Sequence, residues 1–262
     1  MIIDIHTHVW PEKISSKARE HLEGLFNVKM VGDPTLGTLQ EFMHRNNVDI
    51  SVVNSVATKP EQVPGINDWL FKQRSENIRI FCAMHPGYSL WREELKRIKE
   101  NGDGIKMQPE FQNFYVDDAA NDPLYAEIER LGIPLLFHCG KELSHNMLVH
   151  SSPDRIAKVI QKFPSLKLIA AHFGGFELWD EVKIHLLGKD VYMDTAFFFH
   201  FLPKEQIREL ILGHRPDRIL FGTDFPLIDQ RKDIEFLQSL DIPSDLKRCI
   251  FSDNARELLG IN

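Results

Sequence analysis

The sequence predicts a closed (β/α)8 TIM barrel, an α/β fold that occupies residues 1–262 as one domain with an added helix at its carboxyl end. The first observation is length, because the chain has 262 residues and single barrels of this class have about 250. The second is the alternation of eight short aliphatic or β-branched runs with segments of helical periodicity. The third is that polar residues end the first, fifth and eighth runs, and only a closed sheet would bring these together.

The eight predicted strands are short runs rich in aliphatic and β-branched residues, which favour extended backbone. In chain order they read IIDIH, ISVVNS, IRIFCAM, GIKMQ, PLLFH, LKLIAAH, VYMD and RILFGT, and they span residues 2–6, 50–55, 78–84, 104–108, 134–138, 166–172, 191–194 and 218–223.

Helices are predicted where apolar residues recur at helical spacing between these strands. They span residues 90–100, 123–131, 153–163, 203–212, 234–240 and, as the added helix, 243–259. Asp122 and Ser152 each precede a proline, and this pairing of a capping side chain with proline is typical of a helix start. Repeated strand–helix alternation implies parallel pairing, in either an open sheet or a barrel. The count of eight and the polar strand ends favour the barrel.

Composition excludes several classes of function. Hydrophobic residues make up 43% of the chain and charged residues 26%, as in ordinary globular proteins. The net charge of −7 is spread without a basic tract, which argues against nucleic acid and anionic membranes and favours a small-molecule substrate. The three cysteines are far apart, no leader-like segment begins the chain, and no apolar run approaches the roughly 20 residues of a membrane span. We therefore expect a cytoplasmic protein in a reducing compartment.

A divalent metal site is predicted from four residues at the predicted strand ends, which are His6, His8, His138 and Asp224. Side chains alternate along a strand, so His6 and His8 should share one face while Ile5 and Thr7 take the other. Three imidazoles and one carboxylate suit Zn²⁺ best, with Mn²⁺, Fe²⁺ or Co²⁺ as alternatives.

The motifs together resemble the amidohydrolase superfamily. DIHTH lies at the first strand, a histidine ends strands five and six, GTDFP follows strand eight, and FSDNAR with the following LLG lies near the carboxyl end. The chain is most similar to the amidohydrolase-related group of TIM-barrel metal enzymes. That group includes hydrolases and nonoxidative decarboxylases similar to aminocarboxymuconate-semialdehyde decarboxylase. The resemblance covers essentially the whole chain.

The resemblance implies catalytic roles for Asp224 and His172. Asp224 would bind or adjoin the metal and move a proton between water or substrate and the reacting atom. His172 would contact the substrate or the transition state. A second-metal ligand and a buried structural histidine are the two other interpretations of His172.

Lys106 has two competing interpretations. It shares a strand face with Gly104 and Gln108, and a lysine inside a barrel needs a partner. A free ammonium could bind a substrate carboxylate or pair with an acid, whereas a carboxylated lysine could bridge two metal ions, as in binuclear members of the resembled family. The first is favoured, so one ion is expected. Trp10 is expected on the substrate-binding wall. Residues expected as scaffold or wall are His85, Asp194, Phe197 and Phe198.

The function favoured by the sequence is metal-dependent hydrolysis of a small amide, lactone or ester by a metal-activated water. The alternative is a metal-dependent nonoxidative decarboxylase on the same scaffold, with Lys106 and the ion holding a substrate carboxylate. A third hypothesis is a barrel that binds a metabolite without turnover. Homodimers are frequent in the resembled family, so a homodimer is an expectation. Substrate identity is not encoded in motif spacing, because barrel specificity resides in loops.

Overall fold

One eight-stranded parallel sheet organises the molecule. The computed structural model describes residues 1–144 and 148–261. Its strands hydrogen-bond in chain order from β1 to β8. The strands are β1 (Ile3–Thr7), β2 (Ile50–Asn54), β3 (Ile78–Ala83), β4 (Gly104–Met107), β5 (Leu135–Phe137), β6 (Leu168–Ala170), β7 (Tyr192–Asp194) and β8 (Ile219–Leu220).

Backbone hydrogen bonds between the first and last strands close the sheet. The Ile5 amide donates to the Phe221 carbonyl at 2.9 Å, and the His8 amide donates to the Phe225 carbonyl at 2.7 Å. The Asp224 amide donates to the His6 carbonyl at 2.8 Å. The predicted barrel is therefore confirmed, and its closure places DIHTH beside GTDFP.

Helices surround the barrel. Those of the described residues are α1 (Glu12–Phe26), α2 (Leu36–Asn46), α3 (Val63–Leu70), α4 (Trp91–Asn101), α5 (Pro109–Gln112), α6 (Asp122–Leu131), α7 (Pro153–Lys162), α8 (Trp179–His185), α9 (Lys204–Gly213), α10 (Gln230–Ser239), α11 (Ser244–Arg248) and α12 (Asn254–Leu259). Within residues 1–144 and 148–261, none combines the length and apolarity that crossing a bilayer requires.

The strands bury apolar side chains on both faces, as parallel strands in a barrel must. Ile5, Val52, Leu136 and Leu220 belong to a cluster that fills the barrel interior. A larger cluster lies between the sheet and the surrounding helices. Cys139 belongs to this outer cluster, on the opposite side from His138 as alternation predicts.

The carboxyl-terminal segment packs against the amino-terminal end of the barrel. The helix predicted over 243–259 consists of α11, a π-helical turn at Cys249–Asp253, and α12. Ala255 and Leu258 belong to the interior cluster. The Asn254 side-chain amide donates to the carbonyls of Pro216 and Ile219, both at 2.8 Å. The FSDNAR motif thus fixes the start of β8, whose far end leads to Asp224.

Several helices were not predicted from the sequence, and some strands were predicted to be longer than they are. It did not predict α1, α2, α3 or α8, and it drew β6 and β8 longer than they are. The missed helix α1 is separated from β1 by four residues and has only one buried residue, so its apolar positions gave a weak signal. His172 and Asp224 consequently lie in turns beyond their strands rather than at strand ends, with φ angles of 57° and 65°.

Candidate active site

The candidate site lies at the carboxyl ends of the strands, where five side chains of types that can bind a metal meet. β1 and the residue after it supply His6 and His8, and His138 follows β5 immediately. His172 and Asp224 follow β6 and β8 after short turns. Left-handed backbone at His172 and Asp224 is uncommon for residues other than glycine and marks positions where local conformation serves a site. This face of a TIM barrel carries the chemistry.

An irregularity in β1 corrects the expected alternation. The pairing of β1 with β2 shifts register between Asp4 and Thr7, so three steps along β1 oppose two along β2. The extra residue is a local bulge, which turns a side chain to a new direction. As a result Ile5 faces the barrel interior as His6 also does, and the prediction that they face opposite sides was wrong. The pairing of His6 with His8 in space was correct.

Fixed acceptors orient the imidazoles of His6 and His8. His6 Nδ1 lies 2.9 Å from a carboxylate oxygen of Asp194, and His8 Nδ1 lies 2.9 Å from the Asn54 carbonyl oxygen. Because both acceptors lack protons, each Nδ1 carries the hydrogen and each Nε2 keeps a lone pair. The two Nε2 atoms face each other at 3.2 Å. Such outer partners are typical of metal-binding histidines.

Backbone carbonyls also orient the imidazoles of His138 and His172. His172 Nδ1 donates to the Ala196 carbonyl at 3.0 Å, and His138 Nε2 donates to the Lys141 carbonyl at 3.1 Å. Their remaining lone-pair nitrogens, His172 Nε2 and His138 Nδ1, lie 3.0 Å apart. Two pairs of facing acceptors would repel unless a cation or a proton lies between them.

Asp224 supplies the negative charge of the site. Its Oδ1 lies 3.3 Å from His8 Nε2 and 3.7 Å from His6 Nε2. Ligand atoms of His6, His172 and Asp224 lie within 4.8 Å of one another. Convergent imidazole lone pairs and one carboxylate suit a divalent cation of the zinc or manganese type, so the residues present fit a metal.

Burial favours the neutral imidazole at His6, His138 and His172. Desolvation lowers the pKa of His6, with Lys106 adding to the effect. Desolvation also lowers the pKa of His138 well below its usual value and that of His172 to about 4. Burial alone would raise the pKa of Asp224, but His6 and His8 outweigh it and hold that pKa well below its usual range. Neutral imidazoles beside an ionised carboxylate are the forms that bind metal.

Lys106 lies within the same site, 1% exposed. Its Nζ is 3.4 Å from His6 Nε2. Among the described residues, no carboxylate comes within ion-pair distance of Nζ. Burial lowers the pKa of this ammonium, although Asp194 and Asp224 oppose that shift. An enclosed cation without an acidic partner is costly unless a ligand supplies the charge.

A cavity of about 370 Å³ opens onto the site. Helix α1 covers one side of it with Ala18, Leu22, Leu25 and Phe26, a stripe at helical spacing. The Phe26 ring stacks on Phe111 with 6.3 Å between ring centroids. Trp10 lines the cavity, and its ring lies 6.2 Å from that of His8. The wall is thus apolar and aromatic around a polar floor, as in many small-molecule sites.

The other residues singled out from the sequence take different positions. Phe197 lines the cavity, whereas Phe198 stacks on Phe173 in the outer core. His85 receives a hydrogen bond from the Gly87 amide and does not line the cavity. Asp194 is buried and holds His6.

Sequence reasoning missed the contributions of α1, Asn54, Gln108 and Glu142 to the site. The stripe in α1 was visible as helical periodicity, and Gln108 shares the strand parity of Lys106. Glu142 lies in a loop and carried no such signal. Burial, with help from Glu110, raises the pKa of Glu142 to about 8.

The chain matches one protein family in sequence and a set of solved structures in fold. A family model described as amidohydrolase matches residues 3–261. No curated protein matches the chain in sequence. Solved structures that match the chain include examples with 13–19% sequence identity, a level of similarity that supports the fold alone.

Several of the matching structures are decarboxylases. The 5-carboxyvanillate decarboxylase of Sphingomonas paucimobilis is 14% identical, with a TM-score of 0.74 over 100% of this chain and 99% of its own. The dihydroxybenzoic acid decarboxylase of Polaromonas sp. JS666, with bound manganese and the inhibitor 2-nitroresorcinol, is 18% identical, with a TM-score of 0.75 over 100% and 97%. The 2,6-dihydroxybenzoate decarboxylase of Rhizobium is 16% identical, with a TM-score of 0.75 over 99% and 98%.

Proposed function

Because the chain belongs to the amidohydrolase family, we propose that it is a metal-dependent enzyme that removes CO₂ from a small aromatic or unsaturated carboxylic acid without oxidation. The observation that carries this proposal is Lys106, a buried lysine in the site whose Nζ has no carboxylate within ion-pair distance among the described residues. A substrate carboxylate supplies the missing charge. The decarboxylases among the structural relatives support the same reaction.

The metal ligands of this proposal are His6, His8, His138 and Asp224. The donor set suits Zn²⁺, and the manganese in the Polaromonas structure makes Mn²⁺ the other ion to test. When bound, the ion supplies Lewis acidity toward a substrate oxygen.

Proton delivery falls to Asp224 and His172. When CO₂ leaves, the electron pair of the broken carbon–carbon bond stays on the substrate carbon, which must gain a proton. Asp224 is ionised, so it first accepts a proton from a substrate hydroxyl or from water and then passes it to that carbon. His172, turned into the site by its bond to the Ala196 carbonyl, contacts the reacting region and orients it.

The apolar wall favours the products. A carboxylate carries a charge, whereas CO₂ carries none, so a cavity lined by Trp10, Phe26 and Phe111 disfavours the reactant relative to the product. Trp10 is assigned to substrate binding on this wall.

Hydrolysis of an amide, lactone or ester was the function that the sequence favoured, and it is now the less well supported reaction. The same ligands and Asp224 serve it equally well. However, it gives no role to the buried charge of Lys106, and the structural relatives described above are decarboxylases.

The test is a turnover assay with metal-loaded protein. Aromatic and unsaturated carboxylic acids labelled at the carboxyl carbon are incubated in D₂O, and release of labelled CO₂ is measured with deuterium uptake at the substrate carbon. We expect both signals for at least one acid. Turnover of esters, lactones or amides without CO₂ release would overturn the proposal in favour of hydrolysis. Binding of acids without any turnover would indicate a carrier.

Lys106→Ala tests the role of the lysine. If the ammonium binds the substrate carboxylate, the variant keeps its metal content while KM rises, since the lost contact is to the substrate. Metal content is measured by elemental analysis and KM from initial rates. Lys141→Ala is the matched control, because Lys141 also lines the cavity but pairs with Glu177 at 3.5 Å. We expect a smaller rise in KM there.

A carboxylated Lys106 predicts a different result. Wild-type protein would then hold two ions per chain, and the alanine variant would lose one of them. Added bicarbonate or a short carboxylate would restore part of the binding and the rate. That outcome would contradict the single-ion assignment and make His172 a ligand.

A further inference from the structure

We propose that Gln108 and Glu142 form a subsite that binds a hydroxyl group of the substrate on the cavity wall, separate from the metal ligands. The inference rests on the proposed function, because it assumes that a substrate carboxylate is anchored near Lys106. It adds a specificity-determining site in a part of the cavity to which the proposed reaction assigns no role.

Gln108 is held rigidly at the end of β4. The backbone amide of Gln108 donates a hydrogen bond to Gln112 Oε1 at 2.9 Å. The Gln112 side chain is in turn fixed by bonds to the carbonyls of Ala57 and Met84, both at 2.7 Å. These bonds hold the backbone from which the Gln108 side chain extends, and Gln108 lines the cavity. A polar group held in one place before the ligand arrives can select between substrates.

Glu142 completes the pair. It is 5% exposed and lines the cavity, and its Oε1 accepts a hydrogen bond from Gln108 Nε2. The same oxygen lies 3.4 Å from His138 Nε2. Among the described residues, neither Glu142 Oε2 nor Gln108 Oε1 receives a hydrogen bond. Each side chain therefore uses one atom to bind the other, Nε2 of Gln108 and Oε1 of Glu142, and each leaves one oxygen free for a ligand.

A hydroxyl is the substrate group that fits these two oxygens. Gln108 Oε1 accepts only, whereas the free Glu142 oxygen accepts when ionised and donates when protonated. A hydroxyl both donates and accepts, so it fits the pair in either state. A second carboxylate would meet only acceptors whenever Glu142 is ionised. An apolar group would cover both oxygens and leave them without hydrogen-bond partners.

The strand sets the distance between the two substrate groups. Lys106 lies in β4 and Gln108 follows the last residue of that strand, and both line the cavity. Two residues of extended backbone correspond to roughly 6–7 Å. A hydroxyl across the ring from the carboxylate spans such a distance better than one on the neighbouring carbon. The subsite should therefore favour 3-hydroxybenzoate or 4-hydroxybenzoate over 2-hydroxybenzoate and benzoate.

The experiment measures binding rather than turnover. Metal-loaded wild-type protein and Glu142→Ala are titrated calorimetrically with benzoate and the three monohydroxybenzoates. We expect 3- or 4-hydroxybenzoate to bind wild type about tenfold more tightly than benzoate, the size of effect that one hydrogen bond to a buried group gives. In Glu142→Ala this preference should fall to about twofold or less, with benzoate affinity and metal content kept.

Two further variants serve as controls for the effect of Glu142→Ala. Glu142→Gln still accepts from Gln108 and presents an amide to the hydroxyl, so part of the preference should return. Thr58→Ala removes a hydroxyl from another part of the cavity lining and should leave the preference intact. A preference unchanged in Glu142→Ala, with benzoate still bound, would overturn the subsite and leave the proposed function standing. Failure of all four ligands to bind wild type would overturn the subsite, and the proposed function falls with it only if no acid of the turnover assay releases labelled CO₂.

Discussion

Asp224→Asn is expected to lower turnover by about a hundredfold or more, the usual contribution of a positioned proton-transfer group. Asparagine keeps the size of the side chain and one oxygen that can face the metal ligands, but it cannot accept the proton. Burial alone would raise the pKa of Asp224, but His6 and His8 lower it below its usual range. The wild-type carboxylate is therefore ionised and can accept a proton. Turnover is measured by CO₂ release under saturating substrate.

Metal content separates the two ways in which Asp224→Asn could fail. If the ion stays and the rate falls, the carboxylate acts in proton transfer; if the ion is lost as well, its ligand role dominates. Asp180→Asn is the matched control, because Asp180 pairs with Lys183 on the exposed surface of α8. Near-normal turnover of Asp224→Asn with metal bound would rule out the proton-transfer role.

The barrel could be predicted because its determinants are local and repeated. Each strand is a short aliphatic run such as ISVVN in β2, and each has its own helix or turn after it. The requirement that His6, His138 and Asp224 converge then selected a closed sheet over an open one. The backbone bonds between β1 and the segment after β8 bear this out.

The irregular features escaped prediction for physical reasons. A bulge such as the one between Asp4 and Thr7 is decided by pairing with a neighbouring strand, which no single-strand pattern contains. Helix α1 has few buried residues, so its apolar stripe gave a weak signal until the cavity beneath it was known. The stripe faces a ligand space rather than a core.

The sequence predicted which side chains converge at this end of the barrel but not the hydrogen bonds that orient them. Strand-end position identified His6, His8 and His138, because it follows from the rhythm of the chain. The acceptors that orient them are a carboxylate on β7 and a carbonyl of Asn54 on β2, which are far away in sequence. Glu142 lies in a loop, where direction depends on tertiary contacts and no period applies.

His8→Ala should remove most of the bound metal, whereas His172→Ala should keep it. Wild-type protein is expected to hold about one divalent ion per chain, as a set of three imidazoles and one carboxylate implies. His8 is the cleaner substitution, because its Nδ1 partner is a backbone carbonyl. Removing His6 would instead leave the buried Asp194 without its partner, which risks the fold as well as the site. Elemental analysis after dialysis gives the occupancy.

His21→Ala is the control for this pair, since His21 lines the same cavity from α1 without joining the cluster of His6, His172 and Asp224. It should retain metal and activity. His172→Ala should lower the rate while the ion stays, because its proposed contact is with the substrate. Equal metal loss in His8→Ala and His172→Ala would count against that division. The facing nitrogens of His138 and His172, 3.0 Å apart, would then belong to a second ion, and Lys106 would be its expected neighbour.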